Sequence, residues 1–440
     1  MTLPTRQRRQ LALGLLAAFA IVATVPGVAS AQASTKIVSV RSNGAQGKSH
    51  SLLSDVSRTG RFVAFDSHAP NLVKKDKNLR RDVFVRDMKT RKTTRVSVRS
   101  NGNEGSDSSF EPDITPDGRF VAFTSDSPNL VKGDDNGFSD VFVHDRRTGK
   151  TRRVSVRSGG GEAHGGGAAS PSISDDGRFV AFRSGATDLV DGDTNGHLDV
   201  FVHDRKKKRT KRVSVATGGA QGLGGGSNAP VISGDGRYVA YHSFKENLVP
   251  GDNNGFVDIF LWDRKRKKTK LVSDGTGGQP ANGGSSGAAI SRDGRIVVYR
   301  SEAKNLIGSD TNDKADIFSH DRKSKKTRRV SRSSGGVESM GVSWEPRISA
   351  SGRWVVFMSL AQNLVGNDSN GSEDVFVHDR KTKKTKRRSL RHNGKQINGE
   401  SDRPAISGDG RFVTFRSDGL KVVKNDTNGW DDIFRRGPLR

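Results

Sequence analysis

A short turn-and-strand segment recurs seven times along the chain, and this repetition constrains the fold more than any other feature. A typical copy reads Asp117-Gly118-Arg119-Phe120-Val121-Ala122-Phe123. Its arginine recurs at Arg61, Arg119, Arg178, Arg237, Arg295, Arg353 and Arg411. Successive copies are 58 or 59 residues apart. A period of this length predicts a repeat architecture in which each unit packs against its neighbours.

Each repeat is predicted to contain four short β-strands. Strand one, for example 171–174, ends at an Asp-Gly turn suited to a tight hairpin. Strand two is the Phe-Val-Ala-Phe segment, which is apolar on both faces, as expected for a sheet packed between two others. Strand three, for example 140–145, follows a loop rich in Asp and Asn, and strand four, for example 153–156, follows a basic turn.

Four-stranded units in tandem close by radial repetition into a β-propeller. We therefore predict an all-β chain, a seven-bladed β-propeller of four-stranded antiparallel blades. The alternative is an open β-solenoid, whose repeats are typically shorter. The frequency of glycine, 52 of 440 residues, also favours a turn-rich all-β chain.

The two ends of the chain predict how the ring closes. The seventh repeat stops after its third strand, at 432–434, while the segment 38–44 is identical to 96–102 in the first repeat. We therefore expect the N-terminal strand to complete the last blade. The approximate blades are 48–99, 108–157, 168–215, 226–274, 286–332, 344–391, and 402–436 together with 35–41, within a propeller domain 32–440.

The repeat resembles the TolB-like, or WD40-like, propeller family. The resemblance rests on the Asp-Gly-Arg-Phe-Val-Ala-Phe segment, the Pro-x-Ile-Ser before it and the Asp-Val-Phe-Val-x-Asp-Arg after it, and it covers nearly all of 35–436. TolB itself carries an α/β domain before a six-bladed propeller, and this chain departs from it in both respects. The resemblance implies a periplasmic or secreted interaction propeller and supplies no catalytic residues.

The first 31 residues are predicted to be a signal peptide. Arg6, Arg8 and Arg9 precede an apolar run over 11–25, and Ala29-Ser30-Ala31 offers a cleavage site. The alternative is an uncleaved membrane anchor, but the run is shorter than the ~20 residues needed to span a bilayer. We expect a secreted or extracytoplasmic protein (periplasm, cell wall or extracellular), a monomer without a transmembrane segment in the mature chain. The absence of cysteine excludes disulfides, thiolate metal sites and cysteine nucleophiles.

The loop before strand three, here called the Asp-Asn loop, carries Asp-x-Asn-x-x-x-Asp in every repeat. Side-chain oxygens at positions 1, 3 and 7 of a tight loop are the ligands that calcium uses. Calcium is thus a candidate cofactor; the alternative is an Asn-Gly turn whose aspartates cap backbone N–H groups. The candidate ligands are Asp76, Asn78 and Asp82 in the first repeat, followed by Asp134, Asn136, Asp140, Asp193, Asn195, Asp199, Asp252, Asn254, Asp258, Asp310, Asn312, Asp316, Asp368, Asn370, Asp374, Asp426, Asn428 and Asp432.

Basic residues are concentrated in the turns between strands three and four, here called the basic rim. Six such turns contain 36 of the 75 Lys and Arg residues, in a chain whose formal net charge is +27. This concentration favours an anionic envelope polymer as the partner, such as teichoic acid, lipopolysaccharide, extracellular DNA or an anionic membrane surface. The alternative is that the lysines only protect edge strands from aggregation. The candidate anion-binding residues are Arg205, Lys206, Lys207, Lys208, Arg209, Arg264, Lys265, Arg266, Lys267 and Lys268.

We predict a non-enzymatic binding or scaffolding protein of the cell envelope that contacts an anionic polymer or an envelope protein. The alternative is a propeller hydrolase or lyase with its site at the central channel. An enzyme needs distinct acids and bases around one site, whereas the seven loops are near copies of one another. Nucleic acid is disfavoured as a general partner by export and by an aromatic content of 6%. Histidines recur in strand three at His144, His203, His320 and His378, and we expect them to be solvated or packed at an edge.

Overall fold

The part of the chain that the structure describes forms seven four-stranded antiparallel sheets, as predicted. The computed structural model describes Met1 and residues 33–308 and 310–439, so the predicted signal peptide lies, apart from Met1, outside the described residues. Within the described residues, no helix is both long enough and apolar enough to cross a membrane. The helical content of this part is one 3₁₀ turn, Thr276–Gly278.

The strands follow one another in chain order through the first six blades. Blade 1 contains β2 (Ser51–Val56), β3 (Phe62–Ser67), β4 (Asp82–Asp87) and β5 (Lys92–Arg95); β1 (Ser34–Ile37) precedes it. Blade 2 contains β6 (Ser109–Ile114), β7 (Phe120–Ser125), β8 (Asp140–Asp145) and β9 (Lys150–Arg153). Blade 3 contains β10 (Ala168–Ile173), β11 (Phe179–Ser184), β12 (Asp199–Asp204) and β13 (Arg209–Arg212). Blade 4 contains β14 (Gly224–Ile232), β15 (Tyr238–Lys245), β16 (Asp258–Asp263) and β17 (Lys268–Leu271).

The remaining three blades continue the same pattern. Blade 5 contains β18 (Ser285–Ile290), β19 (Ile296–Ser301), β20 (Asp316–Asp321) and β21 (Lys326–Arg329). Blade 6 contains β22 (Ser343–Ile348), β23 (Trp354–Ser359), β24 (Asp374–Asp379) and β25 (Thr385–Arg387). Blade 7 contains β26 (Ser401–Ile406), β27 (Val413–Ser417), β28 (Asp432–Gly437) and, as its fourth strand, β1.

The N-terminal strand completes the last blade, which confirms the predicted closure of the ring. β1 pairs antiparallel with β28, from Ser34 opposite Gly437 to Ile37 opposite Phe434. Directly after β1, the Ser39 hydroxyl donates a hydrogen bond to Oδ1 of Asp432 and accepts one from the N–H of Ile433 (3.0 Å). The two ends of the chain are thus joined in one sheet.

The hydrophobic core lies between the blades. Each of the seven clusters of buried apolar side chains combines residues from two adjacent blades. One cluster joins Val38 and Ile433 of blade 7 to Phe65 and Phe84 of blade 1, so the interface between the last and first blades resembles the other six. This sharing explains why strands two and three are apolar on both faces.

The glycine of the Asp-Gly turn is required by contact with the preceding blade. Gly118 has φ +74°, and a Cβ at this position would lie 2.2 Å from a ring atom of Phe62. The same close approach of turn glycine and preceding side chain recurs around the ring, for example between Gly177 and Phe120. The motif is therefore set by packing between blades as well as by turn geometry.

Strand four lies earlier in each repeat than the sequence predicts. In blade 2 it spans Lys150–Arg153, whereas 153–156 was expected, so part of the predicted basic turn is in fact the edge strand. The reason is that side chains alternate between the two faces of this strand. Thr151 is buried against the preceding blade, and its hydroxyl donates to the carbonyl of Val98. Lys150 and Arg152 point outward, where an edge strand tolerates charge.

Candidate functional site

An arginine–aspartate pair holds the basic rim in shape. In blade 2, Arg119 donates two hydrogen bonds to Asp145, at 3.0 and 2.8 Å, and lowers the pKa of Asp145 to about 2. Asp145 Oδ1 also accepts the N–H of Arg147 at 3.0 Å. The same pair recurs in blades 1 to 6 as Arg61–Asp87, Arg119–Asp145, Arg178–Asp204, Arg237–Asp263, Arg295–Asp321 and Arg353–Asp379. The Asp-Gly-Arg turns and the basic rim therefore lie on the same face of each blade.

Two arginines of the predicted rim are committed to packing between blades. The Arg205 guanidinium lies 4.8 Å from the ring centroid of Phe120 in blade 2 and donates to the carbonyl of Gly177. Arg264 lies 3.7 Å from the ring centroid of Phe179 and donates to the carbonyl of Gly236. Both are half-buried cation–π contacts, so both arginines help to hold adjacent blades together. The other predicted rim residues are exposed, namely Lys206, Lys207, Lys208, Arg209, Lys265, Arg266, Lys267 and Lys268.

Five further arginines counted with the rim reach the opposite face. Arg153 at the end of β9 is the example: its Nη1 lies 3.0 Å from Asp134, 2.9 Å from Asp140 and 2.6 Å from Glu162. The members of this set are Arg95, Arg153, Arg212, Arg329 and Arg387. The free positive charge of the rim is thus smaller than the sequence count implies.

A groove of about 860 Å³ runs along β13, between the blade 2–blade 3 connection and the basic turn of blade 4. Its basic lining residues are Arg157, Lys207, Arg209, Lys211, Arg212, Arg264 and Lys267. Its acidic lining residues are Asp188, Asp191 and Asp204. Asp188 is already paired with Arg157 (3.5 Å), and Asp204 is paired with Arg178 (2.7 Å). Positive charge therefore exceeds negative charge in this groove.

The cations of the groove repel one another. Desolvation lowers the pKa of Lys211, and the charges of Arg209, Lys267, Arg264 and Lys207 lower it further. In the part of the chain that the structure describes, Lys207, Arg209, Lys211 and Lys267 form no ion pair with an acidic side chain. A smaller groove of about 450 Å³ repeats the arrangement around Lys383, between blades 5 and 6. An anion bound in either groove would relieve this repulsion.

The Asp-Asn loops lie at the other end of strand three, and most of them contain an internal cation. In blade 2 the carboxylates of Asp134, Asp140 and Glu162 converge within 4.8 Å, as a calcium site would require. The Arg153 guanidinium lies among them, and its Nη2 donates to the carbonyl of Gly133 (2.6 Å). Equivalent arginines pair with Asp76 and Asp82, with Asp193 and Asp199, with Asp310 and Asp316, and with Asp368 and Asp374.

The loop asparagines have the role described by the Asn-Gly turn alternative. Asn136 accepts the N–H of Phe138 at 2.8 Å and donates to the carbonyl of Ala163 at 3.0 Å, so it closes its own turn and ties it to the next connection. The second aspartate of each loop accepts from a serine after strand four. These pairs are Ser97–Asp82, Ser155–Asp140, Ser214–Asp199, Ser273–Asp258, Ser331–Asp316, Ser389–Asp374 and Ser39–Asp432.

Blades 4 and 7 lack the arginine. In blade 2, Arg153 pairs opposite Phe142 in the sheet register. The residue at the same register is Leu271, opposite Phe260, in blade 4, and Ile37, opposite Phe434, in blade 7. The Asp-Asn loops of these two blades therefore differ from the other five. Their residues are Asp252, Asn254 and Asp258 in blade 4 and Asp426, Asn428 and Asp432 in blade 7.

The central channel holds a group of residues that the sequence analysis missed. The innermost strands of all seven blades line a cavity of about 550 Å³. At one equivalent position these strands carry different residues, in blade order Asp55, Asp113, Ser172, Val231, Ala289, Arg347 and Ala405. A comparison of the repeats at this position alone would have found them, because the loops are near copies and the channel strands are not.

Two of these channel residues form a carboxyl pair. The side chains of Asp55 and Asp113 are hydrogen-bonded to each other, and burial raises the pKa of both, with Arg347 opposing this effect at Asp55. Each also ties two blades together, since Asp55 accepts the N–H of Ile114 (2.9 Å) and Asp113 that of Ile173 (2.6 Å). Such a pair shares one proton and is chemically capable of acid–base work.

The strand-three histidines are more buried than expected. His144 Nδ1 lies 2.9 Å from the Thr151 hydroxyl, and burial lowers the pKa of His144 to about 4. The same contact recurs at His203, His320 and His378. These side chains are therefore neutral structural groups at the contact between strands three and four.

No protein-family model and no curated protein matches the sequence. Solved structures of similar fold include an oligogalacturonate lyase from Vibrio parahaemolyticus, with 12% identity, 89% of this chain and 90% of that chain covered, and a TM-score of 0.53. Another is the β-propeller domain of the Trilobed protease from Pyrococcus furiosus, with 13% identity, 88% and 93% covered, and a TM-score of 0.53.

TolB from Acinetobacter baumannii is a further match, with 15% identity and a TM-score of 0.43. That alignment covers 81% of this chain and 66% of the TolB chain. Sequence identities this low indicate a similar fold only. They do not indicate a shared substrate or partner. With the seven sheets and their closure, the two matches at a TM-score of 0.53 identify the fold as a seven-bladed β-propeller.

Proposed function

We propose that this protein is a secreted binding module of the cell envelope that holds an anionic polymer in its basic grooves. The observation that carries the proposal is the groove along β13, where Lys207, Arg209, Lys211 and Lys267 lack acidic partners and repel one another. A polyanion that replaces this repulsion with attraction gains affinity from several charges at once, and it releases its own counterions on binding. The proposed location rests on the predicted signal peptide.

The shape of the groove suits a polymer better than it suits a small anion. Its length along β13 brings Lys207, Arg209 and Lys211 of blade 3 beside Lys267 of blade 4, so successive anionic groups of one chain meet successive cations. The protection of edge strands needs no such groove. The arrangement therefore favours polymer binding over edge protection as the reason for the basic rim.

The test compares two triple variants with the same change in net charge. Lys207→Ser, Arg209→Ser and Lys211→Ser remove charge from the groove lining, while Lys206→Ser, Lys265→Ser and Lys268→Ser remove exposed charge that does not line it. Binding of fluorescent inorganic polyphosphate and of polygalacturonate is measured by anisotropy at several salt concentrations. We expect the first variant to lose most of the affinity and to reduce the salt slope by about one for each cation removed. Equal losses in the two variants would contradict a groove site.

A second candidate function, a hydrolase or lyase with its site in the central channel, is favoured by the hydrogen-bonded pair of Asp55 and Asp113 and by Arg347 in the same cavity. A proton-sharing carboxyl pair and a nearby guanidinium are the kinds of group that acid–base catalysis on an anionic substrate requires. Incubation of bound polymer with the wild-type chain and with Asp113→Asn, followed by measurement of chain length, tests it. Shortening that the variant abolishes would support an enzyme; intact polymer in both samples would argue against it.

A further inference from the structure

The Asp-Asn loop of blade 4 differs from its counterparts by the loss of a charge. In blade 2, Nη1 of Arg153 contacts Asp134 and Asp140 at 3.0 and 2.9 Å, and Nη2 donates to the carbonyl of Gly133. These oxygens, two carboxylates and one carbonyl, enclose a positive group. The corresponding oxygens in blade 4 belong to Asp252, Asp258 and Gly251. The position that carries the arginine in five other blades is occupied here by Leu271, which has no charge and packs, partly buried, against the apolar core.

The carboxylates of blade 4 are left without a partner cation. Asp252 is 8% exposed, and within the described part of the chain it neither accepts a hydrogen bond nor forms an ion pair. Asp258 is fully buried and keeps its bonds from Ser273 (2.5 Å) and Asn254 (2.7 Å). The loop of blade 4 therefore holds two buried acids, and one of them is unpartnered.

Blade 7 also lacks the arginine, but its first aspartate is satisfied by other groups. Asp426 accepts the side-chain amide of Gln46 and the N–H of Val422, both at 3.3 Å. In blade 4 the residue at the position of Gln46 is Pro280, which has no side-chain donor. The unpartnered carboxylate is therefore a particular feature of blade 4.

We infer that the Asp-Asn loop of blade 4 is a calcium site formed by Asp252, Asp258 and the carbonyl of Gly251, in the place where other blades bind an arginine guanidinium. All of these donors are oxygens, which suits a hard divalent cation. Their separation is set by a loop that already encloses a positive group in five other blades, so the site needs little rearrangement. The ion would neutralise carboxylates whose burial is otherwise costly.

The test exchanges the leucine and the arginine between blades. Leu271→Arg supplies blade 4 with the guanidinium that five blades tolerate, and Arg153→Leu removes it from blade 2. Calcium binding to the full chain is measured by titration calorimetry, and the melting temperature is measured in calcium, in magnesium and in EDTA. We expect one site in the wild type, none in Leu271→Arg and two in Arg153→Leu.

The melting temperatures provide an independent measurement. In the wild type, calcium at a hundredfold excess over its Kd should raise the melting temperature by about 3 °C for a ring of this size, and magnesium should raise it less. Leu271→Arg should melt equally in calcium and EDTA, while Arg153→Leu should gain a calcium-dependent rise. A calcium response that Leu271→Arg leaves unchanged, or a wild type that ignores millimolar calcium, would overturn the inference.

Discussion

The hydrogen bonds of Ser39 predict how strongly the ring depends on its closure. Ser39 and Asp432 are both fully buried, and the Ser39 hydroxyl serves the Asp432 carboxylate and the N–H of Ile433 together. Ser39→Ala leaves both groups without this partner, although Asn428 still donates to the other oxygen of Asp432 at 2.9 Å. Loss of a bond to a charged group and of a bond to a buried amide should cost about 3–5 kcal/mol in free energy of unfolding.

The expected shift in melting temperature follows from the size of the ring. At about 2.1 cal/mol/K per residue, the unfolding entropy of roughly 400 residues is about 0.85 kcal/mol/K, so the variant should melt about 4–6 °C lower. Ser273→Ala is the matched control, because blade 4 also lacks the arginine and its serine makes the same two contacts within one blade. Differential scanning calorimetry measures both shifts, and hydrogen exchange at Ile433 and at the corresponding Ile259 locates the opening.

The penalty should also depend on pH. Burial raises the pKa of Asp432 to about 7, while the Ser39 hydrogen bond lowers it. A carboxyl whose folded pKa lies above its unfolded value contributes stability below pH 4 that is lost as pH rises through 7. Removal of the hydroxyl enlarges that loss, so Ser39→Ala should be more destabilised at pH 8 than at pH 5. A melting temperature within 1 °C of wild type at pH 8, or no faster exchange at Ile433, would refute the reasoning.

Three further predictions test the contacts between and within blades. Gly118→Ala should lower the free energy of unfolding, measured by urea denaturation, by about 2–5 kcal/mol, because the new Cβ meets the Phe62 ring at a positive φ. Gly137→Ala is the control: Gly137 has φ +72° and no atom within 4 Å of a new Cβ, so only backbone strain of about 1–3 kcal/mol is expected. Arg146→Met should lose about 1–2 kcal/mol from its contact 4.5 Å from the Phe62 centroid, while Arg147→Met at the exposed neighbouring position should be nearly neutral in the same assay. Burial lowers the pKa of His203 to about 4, so His203 contributes stability above pH 6.5 that is lost as the pH falls towards 4. His203→Gln should remove this pH dependence, which is on the order of 3 kcal/mol in free energy of unfolding and is measured by urea unfolding at pH 7.5 and pH 4.5.

The repeat made the architecture predictable, since a turn arginine every 58 or 59 residues specifies the number of blades and the unpaired ends specify the closure. The placement of strand four was not predictable in the same way. Its signal is a threonine between basic residues, as at Thr151, and a short basic edge strand is difficult to distinguish from a basic turn until its buried hydroxyl contact is known.

The candidate sites were harder to predict because the sequence does not show which acidic side chain a basic residue pairs with. Arg153 is 19 residues from Asp134 in sequence and on another strand, so nothing local indicates that it neutralises the Asp-Asn loop. The substitution at Leu271 was nevertheless visible by aligning the seven repeats, as was the change from Asp113 to Arg347 in the channel strands. Differences between repeats, more than their agreement, indicate where a repeat protein holds a site.

The bond between Ser39 and Asp432 spans 393 residues of chain, which imposes an order on assembly. Blades 1 to 6 are each made of four consecutive strands and can form as soon as their own segment has been synthesised. β1 is made first, yet its partner β28 is made last, and at about 5–20 residues per second the interval is roughly 20–80 s. During that time Ile37 and Val38 have no sheet to join. Blade 7 therefore cannot be completed before β28 is available, whereas blades 1 to 6 need no strand from the other end of the chain.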